Sequence, residues 1–130
     1  MTGSTVPTRA TRVMFGIGWW VLVVLVALFA VNHILGIWLF ASSPDEPQMF
    51  ELFGALNLLS LAVLLVPYRR LERWAWWAMW IGIIPVGLVL AFGGPGLVGL
   101  IYIASFGVLT LAQIATLPRF RHPEPRSSQP

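Results

Sequence analysis

The stretch VLVVLVALFAVNHILGIWLF, Val21–Phe40, contains no charged side chain. It exceeds the roughly 18 apolar residues that suffice to cross a bilayer as a helix. Within hydrocarbon, every backbone N–H and C=O must find its partner inside the segment, so a helix is the conformation open to it. Three further runs, Met49–Val66, Ala75–Phe92 and Leu97–Leu117, fall in the same length class. The composition agrees, with 58% hydrophobic and 10% charged residues, against about 25% charged in an ordinary soluble domain. A soluble fold of 130 residues cannot hide this much apolar surface, so much of it must face lipid.

The expected fold class is therefore all-α: an integral membrane four-helix bundle, antiparallel up-down-up-down because its connections are short. The spans are expected at about 13–41, 48–67, 72–92 and 96–117, inside one domain of residues 12–118. Residues 1–11 and 119–130 are polar or rich in proline and arginine, and read as disordered tails. The first run is longer than the roughly 7–15 residues of a signal-peptide core and is expected to be retained as a span.

Charge sets the orientation. The net charge is +3, and every basic residue is an arginine near the end of an apolar run. Arg9 and Arg12 precede the first run, Arg69, Arg70 and Arg73 separate the second from the third, and Arg119, Arg121 and Arg126 follow the fourth. The connections ASSPDEPQ and GGPG hold no basic residue. Four crossings put all the arginines on one side, and the positive-inside rule makes that side cytoplasmic, with N-in/C-in termini. The expected location is the cell (cytoplasmic) membrane of a prokaryote, multi-pass. This distribution reads as topology, and no nucleic-acid partner is expected. Trp19, Trp20, Tyr68, Trp74, Trp76 and Trp77 read as an aromatic belt at the inner boundary, with Trp38 at the outer one. Arg69, Arg70 and Arg73 could also grip anionic lipid headgroups.

Polar residues inside the runs are the candidates for function. Glu51 lies six residues beyond Asp45, a capping residue for the second helix, and so about 9 Å inward. That is too deep to cap and too shallow for the bilayer centre. It is either a carboxylate at the outer rim or a group facing the bundle interior. Folding the first two spans about residue 45 brings residue 33 level with residue 57, so Asn32 and His33 should lie near Asn57. Ser105 reaches a comparable depth on the last span, with Tyr102 one turn above it. Glu51 and Asn57 diverge by about 120° around their helix, which keeps Glu51 at the rim and turns Asn57 toward the first span. This outer cluster serves either as interhelical hydrogen bonding or as a ligand or proton site. Gln113 falls far deeper and reads as separate. Pro85 is expected to kink the third span. Gly82, Gly87, Gly99, Ala104 and Gly107 permit close helix approach.

Other chemistries lack their residues. There is no cysteine, so disulfides, thiolate nucleophiles and cysteine metal sites are out. His122 sits in the tail, away from His33, so no paired-histidine metal site is expected. The GGPG turn lacks the length and lysine of a phosphate-binding loop. No catalytic residue, metal or cofactor is expected.

Family patterns narrow this further. The first span has no carboxylate of the kind small multidrug exporters keep there, and the one-sided arginine bias is unlike dual-topology fluoride channels. The four-span layout and the connection PYRRLERWAWW resemble small uncharacterised prokaryotic membrane proteins, including DoxX-like families. The resemblance implies a fold class and transfers no active residue. The expected function is a non-enzymatic membrane protein, an accessory or interaction subunit that self-associates or joins a larger complex. The alternative is a small transporter or binder of a neutral or protonated ligand, lipid- or quinone-like, using Glu51, His33, Asn32, Asn57, Tyr102 and Ser105.

Overall fold

A computed structural model describes residues 8–39, 46–92 and 96–121, with backbone only at 46 and 89–92. Helix α1 is Arg9–Leu39, α2 is Glu46–Val63, α3 is Arg73–Phe92 and α4 is Leu97–Arg121. One π-helical turn, Leu64–Tyr68, extends α2. No strand occurs among the described residues. Residues 1–7 and 122–130 of the expected tails, the capping Asp45 and the turn at 93–95 lie outside the described residues. Helix α1 begins earlier than expected, at Arg9, and α4 continues through Pro118 to Arg121. Phe120 explains the second extension: it is buried against the Tyr68 ring, with centroids 4.7 Å apart, which draws the end of α4 over the bundle.

Three segments, Arg9–Leu39, Pro47–Tyr68 and Leu97–Arg121, are long and apolar enough to cross a membrane. Only 28%, 22% and 22% of their most apolar stretches are buried inside the protein. Side chains such as Leu58, Leu59, Ile81 and Leu111 point outward. An apolar exterior on this scale is incompatible with water and suited to lipid. The helices are apolar on all faces, as a membrane demands.

Packing is uneven. Helix α1 lies between α2 and α4 and packs along both, and α3 packs along α4. Helices α2 and α3 touch less, and Gly82 of α3 meets Ser60 of α2. At Gly18 a Cβ would come 2.8 Å from the carbonyl oxygen of Ala112, so only glycine permits this α1–α4 approach. By contrast, Gly107 has nothing within 4 Å and faces outward, so no close approach inside the chain depends on it.

The core gathers in the half of the bundle nearest the arginines. Leu22, Leu64, Tyr68, Met79, Ile83 and Leu109 are fully buried there. Proline shapes this end. Pro67 has no N–H to continue the α2 ladder, and the chain widens into the π-helical turn around it. Glu72 N–H then bonds the carbonyl of Pro67 at 3.1 Å and Leu71 N–H that of Tyr68 at 3.0 Å. This bond pair is the Schellman stop, with Leu71 in the left-handed region at φ 57 where glycine is usual. The Leu64 carbonyl is taken by the indole N–H of Trp19 at 2.9 Å.

The expected aromatic belt is accordingly divided. Trp20, Trp74 and Trp77 are exposed, whereas Trp19, Trp76 and Tyr68 are buried. Each buried member satisfies its polar atom inside the protein, so helix packing rather than headgroup contact holds it.

Candidate functional site

In the half remote from the arginines the four helices part around a cavity of about 860 Å³. That lies within the roughly 300–1,000 Å³ typical of small-molecule sites. Its walls include Phe29 of α1, Phe50 and Phe53 of α2, Pro85 and Val86 of α3, and Ile101 of α4. Leu28, Met49, Val98 and Ile101 belong to the lining yet stay largely exposed, so the cavity opens to the surroundings between helices.

The polar lining consists of His33 and Asn32 from α1, Asn57 from α2, and Tyr102 and Ser105 from α4. These are five of the six residues expected in the outer cluster. Glu51, the sixth, is exposed and does not line the cavity. Asn32 is exposed, His33 and Asn57 are buried, and Tyr102 and Ser105 are intermediate.

His33 is the best defined of these. Its Nδ1 lies 2.7 Å from the carbonyl oxygen of Phe29, one turn back on α1, and 3.2 Å from the amide nitrogen of Asn57. A carbonyl only accepts, so the shorter contact puts a proton on Nδ1. The same nitrogen cannot then accept from an amide N–H, and the Asn57 amide must turn its oxygen toward it, the two orientations being interchangeable in shape. The other ring nitrogen, Nε2, has no hydrogen-bond partner among the described residues. Three phenyl rings surround the imidazole, with centroids at 5.5 Å for Phe53 and 6.2 Å for both Phe29 and Phe50. Tyr102 stacks obliquely on Phe29 at 5.6 Å. The hydroxyls of Tyr102 and Ser105 make no hydrogen bond among the described residues.

Among the described residues no arginine or carboxylate lines the cavity. The groups present are an imidazole, carboxamides, a phenol and an aliphatic hydroxyl, set in a largely hydrocarbon wall. Such a site offers directed hydrogen bonds to an uncharged head and contact area to an apolar body. No cluster of three or more metal-ligating side chains occurs among the described residues.

A second polar constellation lies in the packed half, and sequence reasoning set its central member aside. Gln113, fully buried, donates from Nε2 to the Trp76 carbonyl at 2.6 Å and accepts from the Tyr68 hydroxyl at 3.0 Å. Trp76 donates its indole N–H to the Gln113 carbonyl at 3.0 Å, and the Thr116 hydroxyl donates to the same carbonyl at 2.7 Å while its oxygen lies against the Tyr68 hydroxyl. The signal was available: Gln113 and Thr116 stand three apart on one face of an apolar helix, at the arginine end where Tyr68 and Trp76 also fall. Every member is satisfied, which marks the network as a clamp joining α2, α3 and α4. Arg69, Arg70 and Arg73, expected as one basic strip, separate: Arg69 stacks over the Trp19 ring at 5.1 Å, while Arg73 turns to α4, where it borders a smaller cleft with Arg121.

Comparisons with protein-family models, curated proteins and solved structures found no match to this chain. They neither support nor exclude the DoxX-like resemblance.

Proposed function

We propose that this chain crosses the membrane four times, antiparallel with both termini cytoplasmic, and binds an uncharged amphipathic molecule in the outer leaflet. The ligand class is lipid- or quinone-like. The observation that carries this reading is the 860 Å³ cavity with apolar walls and the His33–Asn57 pair at its side. Order along the helices supports the topology. Trp19 meets Leu64 while His33 meets Asn57, so α2 numbers fall as α1 numbers rise. Gly18 beside Ala112 with Phe29 beside Tyr102, and Trp76 beside Gln113 with Gly87 beside Phe106, run the same way. α3, at 20 residues, is the remaining span of this scheme. The cytoplasmic assignment rests on the arginine bias.

The Nε2 of His33 and the hydroxyls of Tyr102 and Ser105, unpartnered among the described residues, would meet a carbonyl or hydroxyl head, while the phenyl rings take its apolar body. The test is to isolate the chain in polymer-bounded native discs and identify enriched neutral amphiphiles by mass spectrometry. One such molecule should exceed its bulk-membrane abundance. His33→Phe and Asn57→Leu should each lower its occupancy about fivefold, the worth of about 1 kcal/mol for one buried hydrogen bond. No enrichment, or enrichment unaffected by both substitutions, defeats the proposal in favour of the accessory-subunit reading. That reading expects bulky replacements at Gly82 or Gly107 to change assembly and His33 to be dispensable.

A further inference from the structure

At the arginine end, the start of α3 and the end of α4 enclose a cleft of about 320 Å³. Trp76 and Phe120 are buried beneath it, Leu117 and the exposed Trp77 form its sides, and Arg73 and Arg121 are exposed at its rim. The two guanidinium groups come from different helices that the Trp76–Gln113 bonds hold side by side. No carboxylate lines the cleft among the described residues. Glu72, the neighbouring acid in sequence, accepts from the Trp74 indole at 2.7 Å. Neither Arg73 nor Arg121 has an ion-pair partner among the described residues.

We propose that this cleft binds the phosphodiester of an anionic phospholipid. Arginine presents a planar fork of donors that matches two phosphate oxygens, and two such forks facing one apolar-floored cleft define a point of attachment. The volume admits a headgroup and not a whole lipid. The acyl chains leave along exposed apolar residues of α3 and α4, such as Ile81 and Ile114. Basic pockets between helices at the cytoplasmic boundary are suited to such headgroups, and an exposed indole beside them is at home at that depth. This site is independent of the cavity described above and lies in the opposite half of the bundle. It also divides the basic strip read from sequence, because Arg69 is engaged on Trp19 and Arg70 does not line the cleft.

The test is native mass spectrometry of the full chain released from vesicles of equal phosphatidylglycerol and phosphatidylcholine. The unaltered chain should retain one phosphatidylglycerol preferentially. The double substitution Arg73→Gln with Arg121→Gln should lower that preference about tenfold or more, since each surface arginine contributes about fivefold. Arg69→Gln with Arg70→Gln should change it less than about threefold, through screened long-range charge alone. Arg73→Lys with Arg121→Lys, which keeps charge and loses the fork, should fall between. Thermal unfolding in phosphatidylcholine reports whether each variant is folded, and a variant that fails there is replaced by the lysine pair. Equal losses from the two glutamine pairs, or no preference for phosphatidylglycerol, overturns the proposal. So does saturable binding of inorganic phosphate by the delipidated chain in neutral detergent, which would make the site one for the free anion.

Discussion

Replacing Gln113 by Leu tests whether the packed half is held by its polar clamp. Leucine approximates the glutamine's bulk, so the change removes hydrogen bonds without opening a large cavity. Two side-chain bonds disappear, the 2.6 Å bond to the Trp76 carbonyl and the 3.0 Å bond from Tyr68. The Tyr68 hydroxyl keeps Thr116, and the Trp76 indole keeps the Gln113 backbone carbonyl. Hydrogen bonds between membrane helices average about 0.6 kcal/mol and reach about 1.7 kcal/mol. Two bonds, with their partners not wholly abandoned, therefore come to about 1–2 kcal/mol. Asn57→Leu removes one longer contact and should cost about 0.6 kcal/mol. The assay is equilibrium unfolding of the purified chain in mixed micelles of rising denaturing-detergent fraction, read by tryptophan fluorescence and helicity. A double-mutant cycle with Tyr68→Phe isolates the shared bond, whose coupling should be about 0.6 kcal/mol. Gln113→Leu that is neutral, or cheaper than Asn57→Leu, would mean that apolar packing alone holds α2, α3 and α4 together.

Gly18→Ala should destabilise by about 1–3 kcal/mol in the same assay, because the new Cβ meets a backbone oxygen that cannot move aside; Gly16→Ala, with nothing within 4 Å, should be neutral or slightly stabilising. The chain has no cysteine, so single cysteines report topology directly. Thr8→Cys and Arg70→Cys should react with an impermeant maleimide only after the membrane is opened, and Gln48→Cys in intact cells. Labelling of Arg70→Cys from outside would invert or dismantle the four-span scheme. Filling the cavity by Ser105→Trp should abolish co-purification of a neutral amphiphile while leaving helicity unchanged, and retention of the molecule would place it elsewhere.

The apolar runs made the helices legible, because in lipid a run of that length has one conformational solution. The meeting of His33 with Asn57 was legible for a related reason. A short connection fixes relative depth, and 1.5 Å per residue converts sequence distance into height. Depth does not specify rotation about the helix axis, and that is where the reading failed. Trp19, Trp76 and Tyr68 occupy the expected level but turn inward, and Trp20, Trp74 and Trp77 turn outward. No hydrophobic periodicity separates these sets when every face of a helix is apolar. Gln113 was left aside because its depth separates it from the outer cluster, and no partner was sought at its own level. Its Trp76 partner was within reach of the same counting, since folding the third and fourth spans about their GGPG connection sets residue 76 level with residue 113. Tyr68, by contrast, comes from the far end of α2, which chain adjacency does not pair with α4. The association of Arg73 with Arg121 joins residues remote in sequence and required the packed helices to become visible.

The two halves of this protein differ in what holds them. Near the arginines, Pro67 interrupts the α2 ladder, and the indole of Trp19 takes the Leu64 carbonyl. That bond ties α1 to α2, and the Gln113 clamp adds ties among α2, α3 and α4. In the other half, hydrogen bonding between helices reduces to His33 with Asn57 among the described residues. Lipid supplies no hydrophobic force to pull helices together, so where polar ties are few the helices need not close. Bulky side chains fill that role here: Phe29, Phe50 and Phe53 stand between the helices and prop the cavity apart. An opening at one end of a bundle clamped at the other can widen without unfolding, because the clamp carries most of the directional bonds. A ligand entering from the membrane would then exchange through the exposed mouth at Leu28, Met49 and Ile101, and the arginine end would stay still.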